Sequence, residues 1–232
     1  MKSRILLLVF VLITGSLAAA RESVSSGIGE PGKGKPGGTV RISLSELAAA
    51  ADMVAVAQVK DTDYIYARSY PNEGSAFLKI LITYKRKLPA EEIIEVYEKG
   101  LHPYECYFEN PTVLEEGRRY LVFLRLDPED PERYRGFAQG CALEILVTRD
   151  NRYALKYPVN GIAVEERLDE LASAYEFRDN YALVSKETLP VDERNALLAN
   201  GMIIPYQDKY KYTHGIDLTT ARSLIAPESL RP

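Results

Sequence analysis

The chain has 232 residues, with 29 Lys and Arg against 33 Asp and Glu, a formal net charge of −4 and two cysteines. An acidic balance of this size carries no electrostatic footprint for nucleic acid and is otherwise a statement about solubility. The length suits one sizeable core, or a small domain with an extension.

Residues 1–20 read as a signal peptide: Met1-Lys2-Ser3-Arg4 is basic, Ile5 to Ile13 is apolar, and Ser16-Leu17-Ala18-Ala19-Ala20 supplies small residues for cleavage. The apolar run is shorter than the roughly 20 residues of a membrane span, so no stable span is expected after cleavage. Loss of Lys2 and Arg4 would move the net charge from −4 to −6. The mature chain is expected to be secreted or periplasmic, where two cysteines are most simply one disulfide, Cys106–Cys141. Residues 21–38, rich in Gly and Pro, read as a disordered leader.

Structure is expected from residue 39. Ser43 followed by Glu46 is a capping-box pattern ahead of an alanine-rich helix ending near Asp52. Met53 to Val59 then reads as a buried strand continuing through Tyr64-Ile65-Tyr66. Pro71-Asn72-Glu73-Gly74 has turn chemistry and leads to a strand over Ala76–Tyr84. Beyond the basic turn Lys85-Arg86-Lys87 come a strand over Ile93–Tyr97, a loop from Gly100 to Glu116, and the strongly apolar strand Arg119–Leu126. Leu143–Val147 and Tyr153–Tyr157 flank the turn Arg149–Arg152. Five or six short strands separated by turn signals suggest a small barrel or sandwich over 39–162. Residues 163–232 are expected to be a helical extension packed on it, with segments at Glu165–Ala172, Val191–Leu198 and about Thr219–Ile225.

Chemistry-bearing constellations are scarce. His102 and His214 are far apart and are expected in surface loops, and a Cys–His nucleophile would need Cys106 or Cys141 as a free thiol. His102, Glu105 and Glu109 do not have helical ligand spacing, since Pro103 argues against a helix, so no metal or other cofactor is expected. The adjacent acids Glu91-Glu92, Glu115-Glu116 and Glu165-Glu166 diverge on either a strand or a helix and do not form an acid–base pair. No phosphate loop or Gly-x-Ser-x-Gly elbow occurs. The oddity is 16 tyrosines with no tryptophan. Tyr64 and Tyr66 on one strand, and Tyr104 and Tyr107 beside Cys106, are candidate contact residues for a protein or glycan; the competing reading is that tyrosines fill half-buried positions of a β protein.

The order Ala51-Asp52-Met53-Val54-Ala55-Val56-Ala57-Gln58-Val59, then a strand ending Tyr84-Lys85, then Gly117-x-x-Tyr120-Leu121-Val122-Phe123-Leu124, resembles the netrin-like module over residues 43–148. That group includes the tissue inhibitors of metalloproteinases, and the resemblance implies an OB-type five-stranded barrel with flanking helices. Cys106 before the Gly-x-x-Tyr strand and Cys141 after it are similarly placed to a disulfide of the group. The inhibitors chelate the protease zinc through a mature N-terminal cysteine; here the mature chain would start near Arg21, so that mechanism and its residues do not carry over.

The expectation is therefore a mainly β protein: a small five- to six-stranded OB-like barrel with a short N-terminal helix and a C-terminal helical extension. It would act as a non-enzymatic exported binding module for a protein or glycan, through a barrel face or loop rim. A loop-based protease or hydrolase inhibitor is the alternative, and a cysteine-dependent enzyme or redox protein a distant one.

Overall fold

The computed structural model describes residues 41–88, 91–100, 106–112 and 115–226. The expected signal peptide and leader, His102, Tyr104 and Glu105 lie outside the described residues.

Helix α1 (Leu44–Ala50) starts with the expected capping box: the Glu46 N–H donates to Ser43 Oγ at 3.1 Å and the Ser43 N–H to the Glu46 carboxylate at 3.4 Å. Its far end is closed by Lys85, whose Nζ donates to the Ala48 and Ala49 carbonyls at 2.9 and 2.8 Å. A cation on carbonyls left without helical partners satisfies both valence and dipole. Lys85 and Arg86 thus end a strand and are not part of a turn, as the run of basic residues suggested.

Strands β1 (Met53–Ala67) and β2 (Tyr70–Arg86) form one long antiparallel hairpin, from Met53 opposite Arg86 to Ala67 opposite Tyr70. The reversal falls at Arg68-Ser69, with Arg68 at φ 62°. The turn expected at Pro71–Gly74 lies instead inside β2. Gly74 uses its positive φ of 135° to let β2 approach β1, where a Cβ would collide with the Asp63 carbonyl. The same residue types that make turns serve here an irregular stretch of ladder.

β3 (Ile93–Lys99) pairs antiparallel with β2, and β4 (Arg119–Leu126) pairs antiparallel with the first half of β1. The two-residue β5 (Tyr134–Arg135) bridges β4 to β3 and closes a five-strand barrel in the order β1-β2-β3-β5-β4. The sheet runs on from β4 through β6 (Ala142–Val147) and β7 (Tyr153–Tyr157).

The C-terminal segment carries helices α2 (Val191–Ala199) and α3 (Leu218–Ile225) where helices were expected, but it is not helical throughout. The segment expected to be helical at Glu165–Ala172 is a single 3-10 turn at Leu168–Glu170. Tertiary contacts override its spacing: the Glu166 carboxylate accepts the Leu44 N–H at 2.6 Å, and Val164 bridges Ile42. β8 (Ser173–Ala174) extends the main sheet, whereas β9 (Leu183–Ser185), β10 (Ile203–Tyr206) and β11 (Lys209–Tyr212) form a separate three-stranded sheet. β12 (His214–Asp217) joins β7 to β8, so His214 sits in a strand and not in a loop, its Nδ1 2.9 Å from Thr213 Oγ1.

Three cores follow from strand alternation. Met53, Ala55, Ala57 and Val59 of β1 face the barrel interior with Leu78, Val96, Val122 and Leu124. Val54 and Val56 face outward, with Leu121 and Phe123, against Leu44 and Leu47 of α1 and Ile225 of α3. Both faces of β1 are therefore buried, which is why its sequence is continuously apolar instead of alternating. The third core lies under the small sheet, around Leu146, Phe177, Leu197 and Tyr212.

Cys106 and Cys141 are bonded to each other inside the barrel core, each 2 % exposed. Gly136 passes against the bridge, and a Cβ there would fall on the Cys106 sulfur. In the chain-entropy picture a bridge closing a loop of about 35 residues contributes roughly 3–4 kcal/mol. Cys106→Ala/Cys141→Ala is expected to lose about that much in urea unfolding. Gly136→Ala should be more damaging with the bridge intact than in the double variant, where the obstructing sulfur is gone.

Candidate functional site

The candidate tyrosines fall into different environments. Tyr64 is half-buried: its hydroxyl accepts the Phe108 N–H at 3.0 Å, and its ring meets Tyr107 edge-on at 5.1 Å. Burial, only partly offset by the Phe108 N–H, pushes its pKa well above the usual phenol value. The Tyr107 hydroxyl donates to the Gly100 carbonyl at 3.1 Å. Tyr64 and Tyr107 thus pin the segment entering the disulfide against the hairpin. Tyr66 is different, being 57 % exposed beside Ile65 and Tyr70, each 67 % exposed.

Tyr66 and Tyr70 mark the tip of the β1–β2 hairpin, and Ile65 stands at the step before it, opposite Glu73. β1 pairs with β4 only as far as Gln58, and β2 pairs with β3 from Glu73 onward with the Gly100 N–H donating to the Asn72 carbonyl at 2.7 Å, so, among the described residues, 66–71 form a two-stranded tip. Tyr66 faces Pro71 across it and Ala67 faces Tyr70. Nothing among the described residues covers these side chains.

A charged cluster, unmarked as a site in the sequence, lies between the sheet and the C-terminal segment. Glu144 on β6 accepts from Arg118 Nη1 at 2.7 Å and from Lys156 Nζ on β7. Arg118 Nε lies 2.7 Å from a Glu109 carboxylate oxygen and its guanidinium stacks 4.6 Å from the Tyr181 ring centre. Lys156 Nζ lies 4.7 Å from the Tyr212 ring centre, and Tyr212 is pushed up to about 12, by burial first and then by Glu144 and Glu193. A cavity of about 410 Å³ opens beside the cluster. Each cation already has a carboxylate, so the cluster straps the small sheet to the main one. A signal was present: Leu-Glu-Ile on β6 and Leu-Lys-Tyr on β7 place Glu144 and Lys156 on neighbouring strands once the Arg149–Arg152 turn is taken as a hairpin.

The barrel closes through a second buried charge. The fully buried Asp127 carboxylate accepts the Glu129 N–H at 3.0 Å and Arg133 Nε at 2.6 Å, with Arg135 Nε at 3.7 Å. Arg133 stacks on Tyr97 of β3 at 3.9 Å, and the Tyr97 hydroxyl donates to Glu73 of β2 at 2.6 Å. On the outside of the same seam lies a groove of about 580 Å³. Among the described residues no group of three or more His, Cys, Asp or Glu is arranged to hold a metal ion; Glu109 is engaged with Arg118. No described helix is long and apolar enough to cross a membrane.

The chain matches no family model, no curated protein and no solved structure.

Replacing one member of a buried pair strands the other. Glu144→Leu is expected to cost about 3–5 kcal/mol in denaturant unfolding, and Glu144→Leu/Lys156→Met appreciably less, because the second change removes the orphaned ammonium. For Asp127, burial raises the carboxyl pKa, but the Glu129 N–H and the two arginines outweigh it and hold it below the ordinary 3.8. A depressed folded value means that its stabilisation is present above about pH 4 and disappears as pH falls through the folded value. Asp127→Asn should therefore be less stable than the parent near neutrality, and the gap should narrow in unfolding curves taken below about pH 4.

Proposed function

We propose that the chain is an exported, non-enzymatic binding module that engages a protein partner through the tip of the β1–β2 hairpin. The observation that carries this reading is the exposure of Tyr66 and Tyr70 at the hairpin end, where among the described residues β1 and β2 pair only with each other, with Ile65 exposed at the step before it. A two-stranded ribbon gains little stability from apolar side chains left in water. Exposed apolar side chains on both faces of a free end fit a partner that buries them, and tyrosine is among the residues most often dominant at such contacts. An exposed aliphatic side chain, Ile65, in the same stretch as the two tyrosines favours a protein surface over a glycan. Export is supported by the buried disulfide together with the basic, apolar and small-residue order of residues 1–20. The netrin-like likeness of residues 43–148 rests on their sequence motifs and belongs to the same proposal.

The test is affinity capture from the compartment to which the chain is exported, with Ile65→Ser/Tyr66→Ser/Tyr70→Ser beside the parent. Loss of a partner that the parent retains, with an unchanged melting temperature, is the expected result. Equal capture by both would reject the tip as the contact surface, and competition by soluble glycans would replace the protein partner with a sugar. Tyr64→Phe is the internal control: it should lose about 1 kcal/mol of stability with its hydrogen bond from Phe108, and no capture.

A further inference from the structure

The barrel is closed unevenly. β3 meets β5 in parallel at a single bridge, Val96 opposite Tyr134, the only pairing of that edge among the described residues. On the C-terminal side of the bridge the seam is held by Arg133 and Arg135 stacked on Tyr97. On the N-terminal side, Ile93–Glu95 of β3 runs alongside Pro131 and Glu132. Pro131 has no N–H to donate, so the strand opposite cannot extend the parallel ladder in that direction. An edge of β3 is left there without a strand partner, opening into the groove of about 580 Å³.

The groove has two chemistries. Phe77, Ile93 and Leu126 give it an apolar lining, with Ile93 46 % exposed. Glu91, Glu95 and Glu132 give it acid, and no basic residue lines it. Glu95 is oriented by the Ser75 hydroxyl, which donates to it at 2.5 Å, while the neighbouring Glu92 is paired with Lys79. A strand edge without a ladder partner, an apolar lining and a rim of three carboxylates are the three complements of one ligand: an extended chain that alternates apolar and basic residues.

We propose that this seam is a second binding site, which takes an extended cationic–apolar peptide segment of a partner protein as an added strand on the β3 edge. Main-chain pairing to β3 holds the segment, its apolar side chains enter the groove over Phe77 and Ile93, and its Lys or Arg side chains meet the three glutamates. The site is separate from the hairpin tip and does not depend on that reading.

The probe is an acetylated, amidated eight-residue peptide alternating lysine and valine, titrated against the full-length exported protein by calorimetry at low salt. Saturable binding is expected, with slowed amide exchange at Ile93 and Glu95. Glu91→Gln/Glu132→Gln should weaken it about tenfold, since both side chains are exposed and each lost ion pair has a modest effect. A peptide of the same sequence with alternate backbone nitrogens methylated should not bind, and the hairpin-tip triple variant should bind as the parent does. The proposal is overturned by absence of binding, by equal binding of a glutamate–valine peptide, or by unchanged affinity of the methylated peptide, which would leave surface charge alone. It is also overturned if sedimentation shows the groove already occupied by a second copy of the chain. The exchange measurement uses the unaltered protein, so a misfolded variant cannot decide the outcome.

Discussion

β4 is buried on two faces and paired along both edges, and this fourfold enclosure governs how the other layers are placed. Val122 and Leu124 enter the barrel, Leu121 and Phe123 enter the core beneath α1 and α3, and neither set leaves room for a polar side chain. One edge is occupied by β1; the other is shared, with β6 on its first half and β5 on its last two residues. Sharing an edge in this way lets a single sheet be a closed barrel at one end of the strand and an open sheet at the other. It also explains why the bridge joins Cys106 to Cys141: Cys141 immediately precedes β6, its carbonyl accepts the Phe123 N–H, and the bond fixes the barrel wall where the sheet leaves it.

The charges cluster where this apolar strand begins and ends. Arg118 and Arg119 stand at its entry, with Arg119 within 3.7 Å of Asp179 and Arg118 on Glu144; Asp127 follows its last residue. Cations and carboxylates this close to a core are tolerable only when each has a partner. In satisfying one another they couple distant segments: Glu144 ties β6 and β7 to the Arg118 turn, and Asp127 draws Arg133 over Tyr97. The electrostatics here organise the connections between layers, and the apolar faces supply the layers.

Much of the barrel was legible because its signals are local. The Ser43–Glu46 box, the apolar run of β1, the Gly117 to Leu126 stretch and the turn at Arg149–Arg152 each specify their own geometry within a few residues. What was not legible depends on pairing across distance. Pro71–Gly74 has every residue of a turn, yet the register that brings Met53 opposite Arg86 places the reversal at Arg68-Ser69. Leu168 and Leu171 have helical spacing, yet Glu166 is taken by the α1 amide of Leu44. The tyrosines illustrate the same limit for sites: Tyr64 and Tyr66 look alike two residues apart, but one hydroxyl is consumed by the Phe108 N–H and the other ring is in water. Lys85 reads in sequence as part of a basic turn and is the C-terminal closure of α1.

Both candidate surfaces arise where strand pairing in the barrel is incomplete. β1 and β2 outlast the strands that flank them, so their ends form a ribbon, and among the described residues nothing covers the apolar side chains there. β5 is too short to match β3, and Pro131 stops it from growing, so the closing seam remains open over Ile93–Glu95. A longer neighbour would remove the second feature: a β5 begun earlier without proline would seal the seam. The two openings also differ in chemistry. The tip offers side-chain area with no free strand edge inside a groove, suited to a folded surface. The seam offers a strand edge with an acidic rim, suited to an unfolded segment. The two openings of this barrel thus lie at separate places on one scaffold, set by where strand pairing stops.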